Sequence, residues 1–97
     1  MKIKAKLKGD VTEVKVQAQH EMLPYDAAKK KGIPANFITY MTATVNSKIV
    51  FEMSSSQFLS KNPIIKFSFK GAKAGDNISM TWIDLLGNTV TSDAEIR

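Results

Sequence analysis

A chain of 97 residues with 43% hydrophobic and 24% charged side chains suits one globular domain spanning residues 1–97 and excludes global disorder. The absence of cysteine excludes disulfides, thiol catalysis and thiolate metal sites, and leaves the redox compartment open. The formal net charge of +5 favours anionic partners in general, without choosing among nucleic acid, acidic protein and anionic substrate.

No apolar run reaches the ~18 residues of a membrane-spanning helix, so no membrane insertion is expected. The first stretch alternates Lys2, Lys4, Lys6 and Lys8 with Ile3, Ala5 and Leu7. It lacks the continuous apolar core of a secretory signal. Its period of two predicts a strand over Lys2–Leu7 with one buried face. Four lysines in a row also protect an exposed sheet edge from unwanted pairing. A nucleic-acid stripe is disfavoured, because no aromatic residues interleave for base stacking.

Gly9-Asp10 signals a turn. A second strand is expected over Thr12–His20, with Val14, Val16 and Ala18 on one face and His20 in the same apolar phase. The alternation then stops. From His20 to Asn36 there is no period of two, two prolines and the only histidine. A connection this long without regular structure is usually functional or disordered. Phe37–Val45 is rich in β-formers and apolar on both faces, as a central strand would be. Asn46-Ser47 turns the chain into a return strand over Lys48–Met53. The polar segment 54–63 is expected to hold a helical turn at most, anchored by Phe58 and Leu59.

Ile64–Lys70 resumes alternation with Ile65, Phe67 and Phe69 inward. After the turn at residues 71–76, Asn77–Asp84 places Ile78, Met80 and Trp82 inward, with Trp82 expected in the core. Gly87 suits a positive φ in the Leu85–Asn88 hairpin. Thr89–Ile96 is the last strand, with Val90, Ser92, Ala94 and Ile96 on the inner phase. No helical periodicity of useful length is present. About seven antiparallel strands in a chain of this size predict an all-β fold, an immunoglobulin-like β-sandwich, with a small barrel as the alternative.

Catalytic chemistry is limited by inventory. A nucleophilic triad needs a histidine oriented by a carboxylate, and His20 is the only histidine, with no acid brought to it by local spacing. No catalytic residue is assigned, and an enzyme is not expected. A zinc site from His20, Glu21 and Asp26 is a weak candidate. His20-x-Met22 could hold a copper ion with help from Met41, Met53 or Met80, although methionines at strand positions are more often core filler. No metal or cofactor is assigned. Lys29-Lys30-Lys31-Gly32 is a basic cluster at an exposed loop tip, either simply solvated or able to attract an anionic group.

Four patches together resemble the SoxZ family. They are His20-x-Met22 followed by Gly32-Ile33-Pro34 and the aromatic Phe37; Asn62-Pro63 ahead of the strand with Phe67; Thr81-Trp82-x-Asp84 followed by Gly87; and the hairpin Asn46-Ser47-Lys48. Glu21 stands where that family usually has proline, Pro24 lies near a usual glycine, and Ile64 and Ser47 replace an aromatic residue and a glycine. The resemblance covers nearly the whole chain in order and spacing.

It implies a non-catalytic subunit of a sulfur-carrier heterodimer of thiosulfate oxidation. The partner would be a SoxY-type protein whose cysteine arm carries covalent sulfur intermediates, and other Sox enzymes would make transient contact. The resemblance also implies a periplasmic location without a signal peptide of its own, reached by co-export with the partner. Nucleic acid is not an expected partner. On this reading His20, Met22, Gly32, Ile33, Pro34, Asn62 and Pro63 line a partner-binding surface, and Lys29, Lys30 and Lys31 form an anion-attracting one. The competing role for His20 and Ile33 is to tuck into the sandwich end and hold the loop closed. The alternative function is an independent β-sandwich module that binds copper or an anion.

Overall fold

The computed structural model describes residues 1–55 and 61–97. Phe58 and Leu59, expected as anchors, and the core of the expected helical turn fall outside the described residues. Among the described residues seven strands form two antiparallel sheets. β1 (Lys2–Lys8), β2 (Val11–Gln17) and β5 (Ile64–Lys70) make one sheet in the order β1-β2-β5. β4 (Lys48–Ser54), β3 (Ile38–Val45), β6 (Asn77–Asp84) and β7 (Thr89–Glu95) make the other in the order β4-β3-β6-β7. This is the expected immunoglobulin-like sandwich, with Greek-key crossovers between a three-stranded and a four-stranded sheet.

The inner faces are built by the predicted alternation. Val14 and Val16 from β2, Met41, Ala43 and Val45 from β3, and Ile78, Met80 and Trp82 from β6 are all buried. β3 lies between β4 and β6, as its apolar character on both faces implied. Its alternation is interrupted at Thr39, where the register with β6 shifts. The bulge lets Ile38 and Met41 both point inward despite a spacing of three, and bends the strand beside the site described below.

Both open sides of the sandwich are closed. On one side Leu7 N–H donates to the Arg97 carbonyl at 2.7 Å and Arg97 N–H to the Ala5 carbonyl at 3.1 Å, tying β1 to the residues after β7. On the other side the Phe51 ring of β4 stacks on Phe67 of β5, with centroids 4.1 Å apart.

Two expectations need correction. The first is the second strand, which stops at Gln17 rather than His20. Ala18 N–H still donates to the Pro63 carbonyl at 3.0 Å, but Pro63 has no N–H to return, so the ladder ends there. The second is the segment 20–36, which contains a helix, α1 (Tyr25–Lys31). The segment was expected to lack regular structure. Asp26 lies in its first turn and three lysines in its last, both favourable to the helix dipole. Gly32, at φ +67, closes it in a Schellman motif, with Gly32 N–H on Lys29 O at 3.3 Å and Ile33 N–H on Ala28 O at 3.2 Å. Seven residues are too few to show amphipathic periodicity, and the helix buries only Ala28.

Candidate functional site

One end of the sandwich is organised around a buried carboxylate. Asp84 continues the inward phase of Ile78, Met80 and Trp82 and is 4% exposed. An ionised group there must be surrounded by donors, and among the described residues four reach it. His20 Nε2 lies 3.1 Å from Oδ2, Asn36 Nδ2 2.9 Å and Asn88 Nδ2 3.0 Å, while the Asn88 backbone N–H donates to Oδ1 at 2.8 Å. Burial alone would raise the pKa of Asp84. The hydrogen bonds from Asn88, Asn36 and His20 outweigh it and lower the carboxyl from an ordinary 3.8 to about 2. Asp84 therefore joins three separate segments: the start of the loop, its end, and the β6–β7 turn.

His20 is committed at every polar atom. Its Nδ1 accepts the Met22 N–H at 2.9 Å, which places the ring proton on Nε2 and directs it to Asp84. Its backbone N–H donates to Asn62 Oδ1 at 2.9 Å, and its carbonyl accepts from Asn62 N–H at 2.9 Å. The ring meets Trp82 edge-on, with centroids 5.1 Å apart. A histidine–carboxylate pair resembles two members of a catalytic triad, but this imidazole has no nitrogen left to take a proton from a nucleophile. The same commitment removes it as a metal ligand. The Met22 sulfur is likewise engaged, accepting the Ile38 N–H at 3.3 Å. Met41 and Met80 are core residues. Among the described residues no group of three or more histidine, cysteine or acidic side chains could hold a metal ion.

The loop closes above this base. Leu23 and Asn36 pair as an isolated bridge, with N–H···O distances of 2.6 and 3.1 Å, so α1 projects as a closed excursion. The β6–β7 turn is fastened to its end: Leu85 N–H donates to the Phe37 carbonyl at 2.9 Å, and Leu86 N–H to Asn36 Oδ1 at 3.2 Å. Phe37 in turn meets the Tyr25 ring edge-on at 5.7 Å.

The residues expected to form a partner surface divide into two layers. His20, Met22 and Pro63 are buried, whereas Gly32, Ile33, Pro34 and Asn62 are exposed. Ile33 therefore does not tuck into the sandwich end. Lys29, Lys30 and Lys31 are exposed in the last turn of α1. Two surface residues and one buried one were missed. Leu85 is 42% exposed and Leu86 57%; two adjacent leucines in a polar hairpin were the available signal. Asp84 could have been found by extending the inward phase of β6 by one step.

The family model for sulphur oxidation protein SoxZ matches residues 1–95. The chain belongs to the SoxZ family. It is a sulfur-oxidation protein on that basis, and the motifs of the loop and of the Trp82–Gly87 hairpin meet at the Asp84 cluster. None of the curated proteins matches the chain. Among solved structures, a superoxide reductase in the oxidised state superposes with a TM-score of 0.64 at 14% identity, over 98% of this chain and 85% of that one. A superoxide reductase (neelaredoxin) from Archaeoglobus fulgidus, in the reduced form, superposes with a TM-score of 0.57 at 16% identity, over 97% and 82%. Those likenesses establish the shared sandwich fold alone.

Proposed function

We propose that this SoxZ-family chain is the non-catalytic docking subunit of a sulfur-carrier heterodimer. It holds a SoxY-type subunit whose cysteine arm bears the sulfur intermediates. The observation that carries this reading is the sandwich end itself, where exposed Leu85 and Leu86 stand on a backbone clamped to Asn36 and Phe37 above the Asp84 cluster. A rigid apolar surface of this kind suits association, because little ordering entropy is lost when it is covered. The lack of cysteine supports the reading further, since the cargo cannot be diverted onto this subunit. His20 and Met22 serve it from beneath as braces, with Ile33 and Pro34 on the surface. Within this reading the complex acts in the periplasm, and the chain travels there with its partner.

The test is co-expression with the cognate cysteine-arm protein, followed by gel filtration and calorimetry. A stable complex is expected. Leu85→Asp together with Leu86→Asp should weaken it by at least about tenfold, from the apolar area no longer buried, while the melting temperature of the free subunit stays put. No complex with the parent chain sinks the docking role, and an undiminished complex with the double variant sinks its location.

A further inference from the structure

The outer face of the β1-β2-β5 sheet carries a lattice of lysines that the strand register assembles. Lys4 lies opposite Lys15, and Lys15 opposite Lys66, so one row of three lysines crosses the whole sheet. Directly opposed side chains have Cβ atoms about 5 Å apart. Along β1, Lys2, Lys6 and Lys8 extend the same face at a repeat of about 7 Å. All are exposed. A depression of about 530 Å³ lies over the row, lined by Lys4, Lys6, Lys15 and Lys66 among others.

Like charges directly opposed across strands are destabilising, and the fold does little to relieve them. Glu13 is engaged by Lys8 at 3.0 Å, and Asp10 reaches Lys70 at 3.8 Å. Among the described residues no carboxylate pairs with Lys4, Lys15 or Lys66. Protecting an edge from pairing explains lysines on β1. It does not explain Lys15, because β2 is the central strand of its sheet and has no free edge.

We propose that this face docks an acidic protein surface, one presenting carboxylates at strand spacing to the Lys4–Lys15–Lys66 row. The chemistry favours a protein over the other polyanions. The face carries at its outward strand positions no aromatic residue to stack on a base and no arginine to fork a phosphate; Phe67, at the edge of the depression, belongs to the inward phase of β5. Only Val11 and Ile64 interrupt its polar outer positions, so it has no apolar wedge for a bilayer. Exposed lysines steer association and release readily, which suits a transient visitor. The proposal goes beyond the carrier reading and does not depend on it, since the face is separate from the Leu85–Leu86 surface.

The test uses the full chain, labelled for NMR and titrated with a short synthetic peptide that alternates glutamate and serine. Amide shifts should centre on Lys4, Lys15 and Lys66 and vanish at about 0.5 M salt. The triple variant Lys4→Gln, Lys15→Gln, Lys66→Gln should bind roughly tenfold more weakly and melt at or above the parent temperature. Lys48→Gln, Lys61→Gln, Lys73→Gln removes the same charge from exposed positions off this face and should leave binding within about twofold. Equal weakening by both triple variants would reduce the effect to net charge and overturn the proposal. So would a lower melting temperature in the first variant, or tighter binding of single-stranded DNA or phosphatidylserine vesicles than of the peptide. Gel filtration with the SoxY-type subunit reads the carrier role separately.

Discussion

At the scale of single residues, Asp84 turns a hairpin, a loop and a histidine into one piece. Its carboxyl is held at about 2 in the folded protein, against 3.8 for an ordinary aspartate. A depressed folded-state pKa means the unfolded chain binds its proton first as acid is added. The stabilisation from Asp84 is therefore complete above about pH 4 and is lost as pH falls towards 2. A gap of just under 2 units corresponds to about 2–3 kcal/mol. Asp84→Asn keeps the shape but turns an acceptor into a mixed amide facing the Asn36 and Asn88 donors. It should cost about 3 kcal/mol at neutral pH and flatten the loss of stability between pH 4 and 2. Urea titrations at a series of pH values would measure both; a variant with the parent's acid slope would show that the slope arises elsewhere. The buried imidazole follows the same logic, because with both nitrogens bonded it acts as a spacer between Met22 and Asp84.

At the scale of elements, α1 depends on its ends more than on its length. A helix of seven residues is marginal by itself, and this one gains its stop from Gly32 at φ +67. A Cβ at Gly32 would meet nothing within 4 Å, so Gly32→Ala isolates the backbone term. It should destabilise the fold by about 1 kcal/mol, with Gly32→Asn milder because asparagine tolerates the left-handed region. Hydrogen exchange at Ile33, whose N–H closes the motif, would report the loosening; an unchanged rate would mean the cap contributes nothing. The strands were legible because a sheet with one buried face writes its period of two directly into the chain, and their bounds moved by at most three residues. The helix was legible only in its caps, with Asp26 early, lysines late and Gly32 followed by Pro34, and a search for apolar periodicity passes over them. The His20–Asp84 bond joins residues 64 apart in sequence, so only closure of the sandwich brings it into being. What the chain did carry was the inward phase of Asp84, which demanded unseen donors.

At the scale of the whole molecule, the two sheets are held together by more than their facing cores. The strap after β7 crosses to the other sheet, and Ile96 is its anchor. Its side chain is fully buried, its N–H donates to the Asp76 carbonyl at 2.8 Å, and the next residue exchanges hydrogen bonds with β1 through Ala5 and Leu7. Ile96 therefore couples the β5–β6 turn, the four-stranded sheet and the edge of the lysine-bearing sheet. Ile96→Ala removes apolar volume where neither sheet can collapse inward without breaking the strap. A loss of about 2–5 kcal/mol is expected, together with faster exchange at Leu7 and Arg97. Exchange at β3 and β6, on the far side of the strap, should quicken only through the global loss of stability. If Leu7 stayed as protected as the centre of β6, the strap would add nothing beyond one more buried side chain. If instead β1 opened first, the lysine face would be revealed as a sheet whose outer strand is kept in register by the residues after β7. Docking there would then weaken in the Ile96→Ala protein, although every lysine remains in place.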